Sequence, residues 1–141
     1  MFKVWVIVVF TALALVLAAC GAGGSELQVS DAWARPGLAG GNSAVFFVIA
    51  NPGPDDLLLS ADSDVAEAVE LHKTIMQDET MQMVQQMNVP VPIGETVFKP
   101  GDLHMMLIGL ENDLQPGDTF TVTVDFETAG KQTLDVTVRE P

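Results

Sequence analysis

Thr119-Phe120-Thr121-Val122-Thr123-Val124-Asp125-Phe126 alternates polar and apolar side chains without a break, and Thr133-Leu134-Asp135-Val136-Thr137-Val138 repeats the pattern a few residues later. A period of two puts every apolar residue on one side of an extended chain, so each segment is a strand with one wet face. Working back along the chain, Ala44 to Ala50 is apolar at both parities and rich in β-branched and aromatic residues. That pattern predicts a central strand buried between layers. Between the apolar runs stand Asn51-Pro52-Gly53-Pro54, Pro100-Gly101-Asp102, Pro116-Gly117-Asp118 and Ala129-Gly130, all turn-forming clusters. No long helical stretch and no internal repeat follows residue 20. Short strands separated by glycine and proline turns predict an all-β sandwich or barrel of about seven to nine strands.

The N-terminus reads as an address rather than as structure. Lys3 precedes an apolar run from Val4 to Leu17, shorter than the roughly 20 residues that span a bilayer as a permanent helix. Leu17-Ala18-Ala19-Cys20 follows, and small residues before a cysteine resemble the bacterial lipobox, in which the thiol is diacylated and becomes the new N-terminus. Residues 1–19 are therefore expected to be a cleaved lipoprotein signal, Cys20 the lipidation site, residues 20–26 a glycine-rich tether and 27–141 the folded domain. Two acyl chains anchor stably where one does not. The expected location is extracytoplasmic, in the periplasm or at the cell surface, on a bacterial membrane.

Cys20 is the only cysteine in the chain, so a lipidated Cys20 leaves no thiol for a disulfide, a thiolate metal site or a nucleophile. The 122 residues from Cys20 onward suffice for one domain with its own core. Setting Lys3 aside leaves five basic residues against nineteen acidic ones, a formal charge of −14. Such a surface repels phosphate backbones, which argues against nucleic-acid binding.

Chemistry concentrates in one stretch. The two histidines are His72 and His104, and Met76, Met81, Met83, Met87, Met105 and Met106 all lie between residues 76 and 106. On a strand through Leu103 to Leu107, His104 and Met106 share one face while Met105 and Leu107 share the other. The first face is metal-capable and the second core-like. Met81 and Met83 also share a face if their segment is extended. Imidazole nitrogen with thioether sulfur is a soft, neutral donor set that suits copper(I) better than zinc, calcium or magnesium. Thioethers form no disulfides, so they remain usable ligands in an oxidising compartment.

Leu71-His72, Met81-Gln82-Met83, Val89-Pro90-Val91-Pro92, Lys99-Pro100-Gly101 and the run from Leu103-His104-Met105-Met106 to Leu110 carry a resemblance. Together with Asp31-Ala32-Trp33-Ala34-Arg35-Pro36 and Asn51-Pro52, they resemble the periplasmic copper chaperone family called PCuAC, over the whole mature domain. Ten residues separate His72 from Met83, twenty separate Met83 from His104, and Met106 follows His104 by two. The middle interval is one residue shorter than the family pattern, which leaves Met81 and Met87 as alternatives to Met83. The resemblance implies a cupredoxin-like Greek-key β-sandwich that binds one copper(I) at His72, Met83, His104 and Met106. It further implies delivery of that ion to a copper-acceptor protein, either the binuclear copper site of cytochrome c oxidase subunit II or another copper chaperone. The expected protein is a monomer and not an enzyme. Some members carry a histidine- and methionine-rich tail for copper(II); the chain closes at Glu140-Pro141 without one, so copper(I) is the expected form.

Rival classes lack their residues. A blue-copper electron carrier needs a cysteine thiolate beside two histidines. A hydrolase of the common types would show a Gly-x-Ser-x-Gly or His-Glu-x-x-His motif. Asp55-Asp56 and Asp62-Ser63-Asp64 lack the rest of a calcium loop and read as solvated turn acids. Copper storage or tolerance, and a non-metal adhesion or scaffold lipoprotein whose histidines and methionines merely pack, remain as alternative functions.

Overall fold

A computed structural model of the chain describes residues 26–141; the expected leader, the expected lipidation site Cys20 and the expected tether up to residue 25 lie outside the described residues. The described part is all β. Its strands are β1 (Gln28–Ala34), β2 (Asn42–Asn51), β3 (Asp56–Asp62), β4 (Ala66–Gln77) and β5 (Thr80–Gln85), followed by β6 (Val89–Val91), β7 (Gly94–Phe98), β8 (Leu103–Leu110), β9 (Thr119–Phe126) and β10 (Gly130–Val138). Ten strands exceed the expected seven to nine, because β6 and β7 lie around Pro90, Pro92 and Gly94 and read as loop. β6 tolerates Pro90 because it ends the strand order and needs no donor on its free side.

The strands run β5-β4-β8-β2-β1-β10-β9-β3-β6, with β7 also paired to β2. β1 joins the two halves, antiparallel to β2 on one side and parallel to β10 on the other. The halves close over one core, to which the first gives Val45, Phe47, Ile49, Leu71, Met105 and Leu107. The second gives Leu58, Val122, Val124, Phe126, Val136 and Val138. The alternating residues quoted above face inward as their period requires, with Leu134 opposite Val122 and Val136 opposite Phe120. Each such fully buried side chain contributes roughly 1.5–3 kcal/mol of transfer free energy.

β2 differs from its expected reading. Its odd-numbered residues enter the core, while of its other face only Phe46 is buried. Phe46 is covered not by a second layer but by Trp33, 4.7 Å away between ring centroids, and by the Arg35 guanidinium 5.4 Å above its ring. A bulge in β1 creates that cover. One extra residue between Ser30 and Trp33, with Asp31 at φ 55°, switches the side-chain parity of the strand. Val29 before it and Ala34 after it both reach the core side, and Trp33 is left opposite Phe46 on the outer face.

Asp56 also departs from the solvated role expected of it. Only 8% exposed, it accepts hydrogen bonds from the backbone N–H groups of Leu57, Thr128 and Ala129, each at 2.8 Å. Burial pushes its carboxyl pKa up from the ordinary 3.8, but the backbone donors outweigh burial and hold it lower. The carboxylate thereby ties the β9–β10 turn to the start of β3.

Candidate metal centre

β4 and β8 run antiparallel in a register that sets His72 directly opposite His104, Leu71 opposite Met105 and Glu70 opposite Met106. Residues directly opposite one another point to the same side. One side of this strand pair therefore carries Glu70, His72, His104 and Met106, and the other carries Leu71, Met105 and Leu107. Met105 and Leu107 are completely buried in the core, while Met106 is half-buried on the outer side.

The imidazole rings lie 5.6 Å apart between centroids, tilted by 46°. His104 is only 3% exposed, and the His72 side chain 13%. Each ring is held by one nitrogen against an oxygen that can only accept. His72 Nε2–H donates to the Glu70 carboxylate at 2.7 Å, and His104 Nδ1–H donates to the backbone carbonyl of Asp102 at 3.0 Å. The partners fix the tautomers, because a carboxylate or a carbonyl offers no proton. The lone pairs left over are on His72 Nδ1 and His104 Nε2, and these two atoms are buried with no hydrogen-bond partner.

An unpartnered buried polar atom costs about 1–3 kcal/mol and calls for an explanation. Two of them, on neighbouring rings, each oriented by a hydrogen bond at its other nitrogen, have the arrangement in which protein imidazoles meet metals. The residues present thus fit an ion that binds neutral nitrogen. Among the described residues no group of three or more histidine, cysteine or acidic side chains could hold a metal. On the same face stands the thioether of Met106, a donor that suits a soft ion.

β5 carries further thioethers beside this strand pair. It pairs with the far side of β4 so that Gln85 faces His72, Met83 faces Thr74 and Met81 faces Met76. Met83 thus lies on the histidine face one cross-strand step from His72, and Met81 lies one step further out. Met87 falls beyond the end of β5 and is 86% exposed. Within β5, Met83 lies nearer to the histidines in register than Met81, though 60% exposed. The β4–β5 turn consists of Asp78 and Glu79, both in the left-handed region at φ 50° and 63°, as a two-residue hairpin of this twist demands.

Two features of the site were not found from the sequence. Glu70 orients His72, and the signal available was its place two residues before the histidine, the same strand face. Phe46 follows Val45, the residue of β2 opposite Met105 in β8. It stands on the outer face of β2, the strand that flanks β8 on the side away from β4.

The fold is a cupredoxin-like β-sandwich, and one strand pair of it carries two buried histidines whose rings are each oriented by a hydrogen bond. The chain belongs to the LpqE-like family: the model for "Putative lipoprotein LpqE-like" matches residues 27–138. It is 31% identical over 118 residues to "Putative lipoprotein Lxx21020" of Leifsonia xyli subsp. xyli (strain CTCB07), covering 81% of this chain and 70% of that one. Among solved structures it is similar to the copper-bound PCuAC domain from PmoF2, with a TM-score of 0.69, 21% identity, and coverage of 82% of this chain and 94% of the domain. It is also similar to copper(I)-bound DR1885 from Deinococcus radiodurans, with a TM-score of 0.57, 24% identity, and coverage of 86% and 85%. At these identities the likeness is one of fold, and that fold is the PCuAC type expected from the sequence.

Proposed function

We propose that this protein is an extracytoplasmic copper(I) carrier that holds one ion between His72 Nδ1, His104 Nε2 and the sulfurs of Met83 and Met106. The observation that carries this reading is the pair of buried, partnerless nitrogens on two histidines directly opposite one another in β4 and β8. Copper(I) is the cargo rather than a resident cofactor. Four neutral donors without a thiolate bind it by bonds that a thiolate-bearing acceptor can replace one at a time. The protein's own task is then to orient the two rings, keep water from them and leave one flank, that of Met83, open for exchange. No reaction is catalysed. The fold shared with the copper-bound PmoF2 domain and with copper(I)-bound DR1885 supports the choice of metal. The family's lipoprotein description supports anchoring through Cys20. A copper protein outside the cytoplasm receives the ion, the binuclear site of cytochrome c oxidase subunit II by the resemblance noted above.

The test is a copper(I) competition titration as a function of pH. Each imidazole ligand must be deprotonated to bind, so on the acid limb every histidine ligand adds about one decade of affinity loss per pH unit. The expected slope approaches two decades for the native chain and one for His72→Ala or His104→Ala. Affinity that stays level into acid in a folded protein refutes both ligands.

A further inference from the structure

Three methionines sit where packing has no use for them. Met76, Met81 and Met83 are 67%, 62% and 60% exposed, although methionine ordinarily serves as a filler of irregular core gaps. Met76 and Met81 are a directly opposed pair, the next to last before the Asp78-Glu79 turn. Their side chains point to the same side as Met83 and His72. Directly opposed Cβ atoms lie about 4.5–5.5 Å apart. Two sulfurs on such a pair can straddle one ion at on the order of 4.5 Å, twice a metal–sulfur bond of about 2.3 Å. The adjoining turn carries two carboxylates, Asp78 and Glu79, which raise the local concentration of cations without belonging to the sulfur pair.

We propose that Met76 and Met81 form a second, weaker site for a soft monovalent cation at the hairpin tip, from which the ion passes by Met83 to the histidines. This rests on the copper(I) reading of the centre. One cross-strand step, two residues or about 6.8 Å of strand, separates the tip pair from the level of Met83, and one more reaches His72. The transfer moves neither electron nor proton: copper remains copper(I), the copper–thioether bonds to Met76 and Met81 break in turn as one to Met83 forms, and bonds to His72, His104 and Met106 complete the inner set. The tip pair is weaker because it offers two solvent-exposed sulfurs, whereas the inner set adds two oriented, partnerless nitrogens. A weak outer site and a tight inner one produce net inward movement, while the domain keeps one tightly held ion.

The experiment is a titration of the intact chain, its methionine methyl groups labelled with 13C and assigned by single Met→Leu variants, with silver(I) as a redox-inert probe. The first equivalent is expected to shift the Met83 and Met106 methyls, and excess silver to shift Met76 and Met81 together. In the His72→Ala/His104→Ala double variant the Met76 and Met81 shifts persist, and in Met76→Leu the Met81 shift is lost. Silence of Met76 and Met81 while Met83 and Met106 respond overturns the tip site and leaves the carrier reading intact. Silence of Met83 and Met106 overturns the carrier reading itself. Met76 and Met81 responding before the inner pair overturns the proposed order of affinities.

Discussion

Met105 and Met106 are neighbours on opposite faces of β8, one a core residue and the other a proposed ligand, and replacing each in turn separates packing from ligation. Met105→Ala removes three heavy atoms from a side chain with no exposure. At about 0.8 kcal/mol for each buried methylene-sized group the transfer loss is about 2.4 kcal/mol, and the cavity left between Leu71 and Val45 brings the total into the range of about 2–5 kcal/mol. Unfolding entropy near 2.1 cal/mol/K per residue over the described domain converts each kcal/mol into roughly 4 °C of Tm. A loss of 10–16 °C is therefore expected for about 2.4–4 kcal/mol, with copper(I) still bound in the cold. Met106→Leu is volume-conserving on a half-buried side chain and costs under about 1.5 kcal/mol, yet it deletes the sulfur proposed to bind copper(I). Calorimetric melting and copper(I) competition titration on both variants decide the matter. If Met106→Leu melts as early as Met105→Ala while copper survives, or if folded Met105→Ala binds no copper, the assignment of the two faces of β8 is refuted.

Glu70→Leu removes the acceptor that holds His72, and copper(I) affinity is expected to fall about 10–100-fold, whereas Glu70→Gln keeps an acceptor oxygen and most of the affinity. 15N shifts of the His72 ring report the tautomer, and an unchanged ring in Glu70→Leu would dismiss the orienting role. Asp56 has a folded pKa held below its ordinary 3.8, so its contribution to stability is complete above that value and is lost as pH falls through the lower folded one. Urea melts of Asp56→Asn should show lower stability at neutral pH, by about 1.5–3 kcal/mol for charge-assisted bonds, with the gap to the native protein closing in acid; a gap independent of pH would deny the carboxylate its role. Glu79→Gly relieves a left-handed residue that, unlike Asp78, has no side chain suited to that region. A gain of up to about 1 kcal/mol is expected after the added freedom of the unfolded chain, and a loss would mean that Glu79 makes a contact worth more than the strain.

The strands that build the core announced themselves because their alternation is unbroken, as in β9 and β10. The turns that the sequence marks with glycine and proline all separate strands. The β4–β5 turn escaped notice because Asp78-Glu79 contains no glycine, and β6 because Pro90 and Pro92 mimic a loop. Phe46 misled for a different reason: a large apolar residue on the wet face implies a covering layer, but a one-residue bulge in β1 brought Trp33 over it instead. Within the centre, the common face of His104 and Met106 follows from strand period alone. The pairing of His72 with His104 does not, since register between strands 32 residues apart is set by the whole sheet. Glu70 was invisible for the same reason that it matters, for its role exists only once the His72 ring has been turned toward it.

β5 ends the order of strands and presents six exposed residues, Thr80 to Gln85, without a charge among them. Such a border exposes unpaired backbone donors and acceptors to any second extended chain, and it lacks the lysines, prolines or bulges that usually discourage that contact. The surplus of acidic over basic residues acts at longer range, holding copies apart before their borders can meet. Solubility of the protein is therefore a property of its whole surface charge, and screening by salt or neutralisation by acid will first reveal itself as self-association through β5, along the same flank that leaves Met83 open.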